Sequence, residues 1–233
     1  MNLPYFYEEN IQQPTYILSE ETSKHCVQVL RMKEGEQLQL TNGKGNLFTA
    51  TIIDPNKKYC SVKINSTTNF TLQITNTFIA ISLLKNPSRF EWFLEKATEI
   101  GVKEIIPIVC DHTEKENFRF ARMNNILISA MLQSQQTWLP ILHQPKKFKD
   151  FIIEEFGGIK LIAHCVEEEK KSIADLHISN HNKLILIGPE GDFSKQEIEL
   201  ALQKNFIPVT LGNTRLRTET AAIVAAALLN DSH

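Results

Sequence analysis

The stretch Leu186-Ile-Gly-Pro-Glu-Gly-Asp-Phe-Ser-Lys-Gln-Glu197 contains the end of an apolar run, a glycine-containing loop and the start of a helix. The apolar run stops at Gly188-Pro189. Ser194 and Glu197 then form a Ser-x-x-Glu pattern, which predicts a capped helix that begins at about residue 195. The stretch therefore predicts a buried strand that passes into a loop and then into a helix.

The same alternation of strands and helices covers the chain from Thr77 onward. A second Ser-x-x-Glu pattern, Ser88 with Glu91, predicts the start of a helix that Gly101 ends. Further strands are predicted at 78–84, 105–109, 161–163, 184–187 and 208–211, and further helices at about 126–134 and 195–204. This order predicts an α/β domain with a mostly parallel sheet, whose ligands bind beyond the carboxyl ends of the strands.

The first seventy or so residues have the pattern of short antiparallel strands. Residues 37–41 alternate polar and apolar, Asn42-Gly43 is a turn dipeptide, and residues 47–53 resume the extended pattern. Another alternating segment at 59–65 and a short helix at 22–31 complete a small antiparallel barrel or sandwich. We therefore expect two domains, one over residues 1–72 and one over residues 73–233.

Composition and charge exclude several classes of protein. The 233-residue chain has a formal net charge of −2, which argues against a protein that coats nucleic acid through a general basic excess. It has no apolar run long enough to span a membrane and no secretory signal pattern, so we expect a cytoplasmic location and no membrane partner. The four cysteines (Cys26, Cys60, Cys110 and Cys165) occur singly, so we expect reduced thiols and no metal.

The loop that follows Ile187 lies where an α/β sheet binds its ligands. Glycine lets a ligand approach the backbone, and the following helix start offers free amide groups. The loop lacks the glycine spacing of a triphosphate loop and of a dinucleotide loop. The carboxylate of Glu190 would also repel a polyphosphate, so a neutral or cationic ligand fits better. A purely structural loop of the same composition stays an alternative.

A second loop, within the stretch Leu211-Gly-Asn-Thr-Arg-Leu-Arg-Thr-Glu-Thr-Ala-Ala222, joins a strand to a helix predicted to begin near Thr218. Arg215 and Arg217 precede this helix, and Glu219 lies in its first turn. The pattern places two cations and a carboxylate beside the predicted ligand loop. A buried C-terminal helix with surface arginines is the alternative.

Together the two loops closely resemble the C-terminal signature of the small-subunit ribosomal RNA uridine N3-methyltransferases, which belong to the SPOUT superfamily. The resemblance covers nearly the whole chain. Residues 25–31 and 42–45 look like the family's PUA-like barrel, residues 89–96 look like its first catalytic-domain helix, and Gln133-Ser134 matches its central Gln-Ser.

This resemblance implies a C-terminal SPOUT trefoil-knot α/β domain, a small N-terminal PUA-like RNA-binding β-barrel, and a homodimer. It implies S-adenosyl-L-methionine as the methyl donor and 16S ribosomal RNA or the small ribosomal subunit as the partner. The residues that it assigns to the cofactor are Ile187, Gly188, Pro189, Glu190, Gly191, Leu211, Gly212, Arg215 and Leu216.

The implied acceptor is N3 of a uridine, which carries a proton and must lose it before it can attack a methyl group. Arg217 is the candidate for stabilising the uracil anion or holding an RNA phosphate. Glu219 is a candidate base or the group that orients Arg217, and a structural pair of the two is the alternative. The candidate RNA-binding residues are Arg31, Lys33, Lys44, Arg89 and Gln133. Phe193 and Trp138 are candidates for stacking on an extruded base, with core packing as the alternative.

Three positions depart from the family pattern. Asp192 replaces a glycine, Thr214-Arg215 replaces the usual order of arginine and an aliphatic residue, and Gln136 replaces an arginine. Two other functions stay open at this point: a knotted methyltransferase that acts on another RNA atom, and a catalytically silent RNA-binding factor in ribosome assembly.

Overall fold

The computed structural model describes residues 3–70, 76–166, 170–173, 176 and 182–230. The chain divides into two compact units. Residues 1–73 and 131–139 form the first unit, and residues 74–130 and 140–233 form the second. The predicted division of the chain at residues 72 and 73 did not include the return of segment 131–139 to the first unit.

The first unit contains a five-stranded sheet. Among the described residues, its strands are β1 (Tyr5–Tyr7), β2 (Thr15–Ile17), β3 (Gln37–Thr41), β4 (Asn46–Asp54) and β5 (Ser61–Asn69), in the order β1-β3-β4-β5-β2. The pairs β3–β4 and β4–β5 are antiparallel, whereas β1 pairs with β3 in parallel. The small N-terminal β domain expected from the sequence is thus confirmed, with one parallel pair that the alternation could not reveal.

Alternate residues of these strands form the core of the first unit. Leu38, Leu40, Ala50, Ile52 and Val62 are fully buried, which is the period of two that a half-buried strand requires. A short helix, α1 (Glu20–Lys24), continues as a π-helical turn at His25–Val29 and adds buried Cys26 to this core. Burial raises the pKa of the Cys26 thiol to about 12, so this cysteine stays protonated and unreactive.

The β3–β4 hairpin closes on the returning segment. Gly45 N donates to Thr137 O at 2.9 Å, and Leu139 N donates to Gly43 O at 3.0 Å. Gly45 has φ +83°, and a Cβ atom at this position would overlap the Trp138 ring and lie 2.8 Å from the carbonyl oxygen of Phe70. The predicted hairpin is confirmed, and Gly45 is the residue that lets Trp138 pack against it.

Substitution of Gly45 by alanine should destabilise the protein by about 3 kcal/mol, because a methyl group would overlap Trp138 and the backbone would keep a left-handed φ. Urea unfolding measures the change. Gly35→Ala is the matched control, since Gly35 has φ +86° but open space around a Cβ atom, and it should cost only about 1 kcal/mol. Equal losses in the two variants would contradict the role of the Trp138 contact.

The second unit is built on a parallel sheet. Its described strands are β6 (Thr77–Ser82), β7 (Glu104–Val109), β8 (Ile141–Leu142), β9 (Lys146–Lys147), β10 (Ile159–Ala163), β11 (Lys171–Ser172), β12 (Lys183–Ile187) and β13 (Ile207–Thr210). The order is β11-β13-β10-β12-β6-β7-β8, and β9 also pairs with β7. Each of these pairings is parallel. The expected α/β domain is confirmed.

The helices of this unit are α2 (Pro87–Ile100), α3 (Phe120–Gln133), α4 (Phe148–Phe151), α5 (Lys195–Gln203) and α6 (Thr218–Asn230). The predicted starts of α5 and α6 are confirmed, whereas α3 begins six residues before its predicted start and α4 was not predicted. The prediction that Ser88 caps α2 is wrong. The Asn86 side chain caps the helix by accepting from Ser88 N at 3.0 Å, because Pro87 takes the first helical position and the cap must precede it.

Helices cover both faces of the parallel sheet. On one face, Phe148 and Phe151 of α4 and Ile198 and Ala201 of α5 join a core cluster with alternate residues of the strands. On the other face, α6 packs on β6, β12 and α2. Because helices cover the faces of the sheet, the loops at the carboxyl ends of the strands are left at one edge, open to a ligand.

Within the described ranges, no helix is long and apolar enough to cross a membrane.

Candidate active site

A cavity of about 350 Å³ lies at the carboxyl ends of β10, β12 and β13. Its walls come from the ends of β10 and β12, the first turn of α6 and three segments: the residues after β10, the loop after β12 at residues 188–194, and the loop before α6 at residues 211–217. We call the last two the glycine loop and the arginine loop. The lining residues are Ala163, Cys165, Ile187, Gly188, Pro189, Glu190, Asp192, Arg215, Leu216, Arg217, Thr218 and Ala221.

The glycine loop is hydrogen-bonded to the loops that follow three other strands. After β6, Lys85 N donates to Glu190 Oε1 at 3.2 Å. After β7, His112 Nδ1–H donates to the Asp192 carbonyl oxygen at 2.9 Å, and after β10, Cys165 N donates to Asp192 Oδ2 at 2.7 Å. A loop fixed at three points has little conformational freedom, which favours a largely preformed site.

Asp192 has a physical reason to stand where the family pattern has glycine. Its φ is +65°, a left-handed value that aspartate tolerates better than most residues. Its Oδ1 accepts from its own neighbour, Phe193 N, at 2.9 Å, while Oδ2 accepts from Cys165 N. The carboxylate therefore adds two hydrogen bonds that a glycine could not make.

Gly188 lies in close contact with an aromatic core residue. A Cβ atom at Gly188 would lie 3.0–3.2 Å from atoms of Phe193. Phe193 is buried and packs against Phe148 with ring centroids 5.7 Å apart. Its ring therefore belongs to the core, as the sequence allowed. Glycine at position 188 lets the loop turn closely over that ring.

The start of α5 fixes the far end of the glycine loop. Ser194 Oγ accepts from Glu197 N, and Glu197 Oε2 accepts from Ser194 N at 2.9 Å, which confirms the predicted capping box. Glu197 is only 2% exposed, and its Oε1 accepts from Asp111 N at 2.9 Å. Ser194 Oγ also donates to Asp111 Oδ2 at 2.7 Å. The capping box thus ties α5 to the loop after β7.

The arginine loop brings two cations to the cavity. Arg215 and Arg217 are exposed and line it together with Leu216. Glu219, in the first turn of α6, is outside the lining. Its Oε1 lies 3.7 Å from Arg89 Nε on α2, and among the described residues its buried Oε2 has no hydrogen-bond partner.

Comparison with known proteins decides the family. The model of the RNA methyltransferase domain matches residues 72–230, and that of the RNA methyltransferase PUA domain matches residues 18–65. The chain belongs to the RNA methyltransferase family. A ribosomal RNA small subunit methyltransferase E from Rickettsia conorii is 31% identical over 202 residues, which cover 85% of this chain and 82% of that protein.

Two solved structures of this family have nearly the same fold. A probable rRNA-methyltransferase from Porphyromonas gingivalis has a TM-score of 0.90 and 38% identity, over 96% of this chain and 95% of that chain. A ribosomal RNA small subunit methyltransferase E from Neisseria gonorrhoeae, bound to S-adenosyl methionine, has a TM-score of 0.85 and 28% identity, over 97% and 96% of the two chains.

Most of the predicted cofactor residues of this RNA methyltransferase line the cavity. Ile187, Gly188, Pro189, Glu190, Arg215 and Leu216 do so, and so does the catalytic candidate Arg217. The predicted residues Gly191, Leu211 and Gly212 are not among the lining residues. Ala163, Cys165, Asp192, Thr218 and Ala221 also line the cavity, and no sequence motif assigned them to the site. Their position at the end of a predicted parallel strand was the one signal that could have placed Ala163 and Cys165 in the site.

The RNA-binding candidates of the first unit lie at opposite ends of its sheet. Gly35 N donates to Ile52 O, so the loop with Arg31 and Lys33 lies at the carboxyl end of β4. Lys44 lies in the hairpin at the other end of that strand. The loop at 55–60, with exposed Lys57, Lys58 and Tyr59, follows the carboxyl end of β4. In α3, the candidate Gln133 is exposed.

Replacement of Glu197 by alanine should lower the free energy of unfolding by about 3 kcal/mol, because Ser194 N and Asp111 N would both lose their acceptor. Chemical unfolding measures the loss. Glu199→Ala in the same helix is the control, since Glu199 is exposed, and it should change the stability by less than about 0.5 kcal/mol. A loss in Glu197→Ala no larger than in this control would refute the anchoring role.

Proposed function

We propose that this RNA methyltransferase transfers a methyl group from S-adenosylmethionine to N3 of a specific uridine in 16S ribosomal RNA. The observation that supports this most strongly is the cavity between the glycine loop and the arginine loop. It combines a preformed backbone pocket with cations at its rim. The names of the relatives, which are ribosomal RNA small subunit methyltransferases, support the substrate class.

S-adenosylmethionine is the cofactor, and the cavity suits it. A volume of about 350 Å³ lies in the range of small-molecule sites. Glu190 and Asp192 add carboxylates to the lining, which favour a cationic sulfonium and disfavour a polyphosphate. The backbone of residues 187–190 and of Arg215 and Leu216 would hold the cofactor, with Gly191, Leu211 and Gly212 beside them. When bound, the cofactor supplies an electrophilic methyl group.

Arg217 is the residue that we assign to the acceptor base. It lines the cavity and is exposed, so a uracil that enters from solvent can reach its guanidinium. A cation beside the ring stabilises the uracil anion and lowers the pKa of N3, which makes the loss of its proton easier. The Glu219 carboxylate is not part of the cavity lining, so we assign it no contact with the uracil.

RNA contacts are proposed on both units. Arg31 and Lys33 share one end of the first sheet with Lys57, Lys58 and the exposed ring of Tyr59, a combination that suits phosphates and an unpaired base. Lys44, Arg89 and Gln133 are further candidate contacts at other places. The trefoil knot and the homodimer implied by the family resemblance, and the cytoplasmic location expected from the sequence, are parts of the same proposal.

Incubation of unmodified 16S ribosomal RNA or small subunits with S-adenosylmethionine should produce 3-methyluridine, detected by mass spectrometry after nuclease digestion. Arg217→Ala should lower kcat by about a hundredfold or more, because it removes the electrostatic stabilisation of the uracil anion. Arg217→Lys, which keeps a charge, should retain more activity than Arg217→Ala.

A methylated ribose or another methylated base as the product would contradict the proposed acceptor atom. RNA binding without methyl transfer by the wild type, in the presence of bound cofactor, would instead indicate a silent assembly factor.

A further inference from the structure

The ion pair of Glu219 and Arg89 joins the beginnings of α6 and α2. Both helices follow loops of the active site. The loop before α2 contacts the cofactor cavity through Lys85 N, which donates to Glu190 Oε1. The loop before α6 is the arginine loop. The pair therefore lies directly behind two walls of the cavity, although it is not part of the lining.

Glu219 faces away from the cavity. Thr218 and Ala221 of α6 line it, whereas Glu219 is only 5% exposed and lies beside α2. With about 3.6 residues per turn, Thr218 and Ala221 share one helix face, and Glu219 lies about 100° away from Thr218. The carboxylate is therefore better placed to act on Arg89 than on a base in the cavity.

The carboxylate of Glu219 is only partly satisfied. The distance of 3.7 Å from Oε1 to Arg89 Nε permits an ion pair but exceeds a hydrogen bond, and within the described part of the chain the buried Oε2 has no partner. A buried carboxylate with a spare oxygen is costly and calls for an explanation. A strong attraction for the neighbouring guanidinium is the direct consequence.

Arg89 keeps most of its hydrogen-bonding capacity. A guanidinium has five N–H donors in a planar fork, and the Arg89 side chain is 37% exposed. The closest approach of the Arg89 and Glu219 side chains is the 3.7 Å from Nε to Oε1. Among the described residues, no other group forms an ion pair with Arg89, so its donors can take a planar anion, and a phosphate oxygen pair fits the fork in a bidentate manner.

We propose that Glu219 is a positioning residue that holds Arg89 as an anchor for an RNA phosphate close to the target nucleotide. The inference rests on the proposed function, because it takes RNA as the substrate. Glu219 then contributes to RNA binding through Arg89 and takes no part in proton transfer at the uridine. With a neutral side chain at position 219, the Arg89 guanidinium can adopt many rotamers. RNA binding must then order it, and the lost conformational entropy weakens the affinity for RNA.

A double-mutant cycle on RNA affinity tests this coupling. Filter binding with unmodified 16S ribosomal RNA gives the Kd of the wild type, Glu219→Gln, Arg89→Met and the double variant. Each single variant should weaken binding about tenfold, which corresponds to 1.4 kcal/mol. The double variant should bind no more weakly than Arg89→Met, because Glu219 acts only through Arg89. Arg89→Met should also lower the slope of log K against log salt by about one.

Two measurements exclude a loss that is merely structural. The melting temperature and the affinity for S-adenosylmethionine should stay close to wild type in Glu219→Gln, because Gln has nearly the same volume and the residue lies outside the cavity. If Arg89→Met unfolds because it leaves the Glu219 charge unpaired, Arg89→Lys takes its place in the cycle. Arg89→Lys keeps the charge but loses the bidentate fork, and should weaken RNA binding relative to the wild type.

The alternatives give distinct results. Independent, additive losses in the cycle would overturn the proposal. If Glu219→Gln lowers kcat and leaves RNA affinity unchanged, both alone and combined with Arg89→Met, Glu219 is the base. This result would also overturn the proposal. If the cycle shows the expected coupling but the wild type forms no 3-methyluridine, the role of Glu219 in holding Arg89 is supported and the proposed function is contradicted. Absence of RNA binding by the wild type would contradict both.

Discussion

The carboxylate of Asp192 holds the glycine loop in the form that the rest of the active site requires. It bonds to the backbone after β10 through Cys165 N and to the backbone of Phe193, while its own carbonyl oxygen accepts from His112. One residue thus joins the loops after β7, β10 and β12. Because these bonds are made within the protein, they order the loop and reduce the ordering cost that falls on cofactor binding.

The parallel sheet explains why these loops can meet. Parallel strands end at the same edge, so segments that are far apart in sequence arrive side by side. The glycine loop then needs only short polar contacts to be fixed. The first unit follows other rules, because its antiparallel hairpin places Arg31 and Lys44 at opposite ends of one strand pair. Cations that look equivalent in the sequence therefore lie at different places on that sheet.

The parts of the fold that depend on local sequence could be predicted. The capping box of Ser194 and Glu197 and the end of α2 at Gly101 depend on residues within one helical turn, and both are confirmed. The cap of α2 was assigned to Ser88 because the same pattern occurs there. Pro87 restricts the start of the helix more strongly than the Ser-x-x-Glu spacing does, so Asn86 caps it instead.

The parts that depend on distant residues could not be predicted. The pairing of Arg89 with Glu219 joins two helices that are far apart in the chain, and no local pattern marks it. The return of segment 131–139 to the first unit depends on Trp138 packing on Gly45. From the sequence, Asp192 could be recognised only as a departure from the family's glycine that its φ tolerates. Its role in fixing the loop depends on Cys165, which lies in another loop.

The central claim is that the clamped glycine loop forms a cofactor site, and calorimetric titration with S-adenosylmethionine tests it most directly. The wild type should bind the cofactor. Gly188→Val should bind it about tenfold or more weakly, since its side chain would push the loop away from Phe193. Gly157→Val should bind it normally, because no atom lies within 4 Å of a Cβ at Gly157. A folded wild-type protein that shows no binding, or equal affinities in all three proteins, would contradict the account.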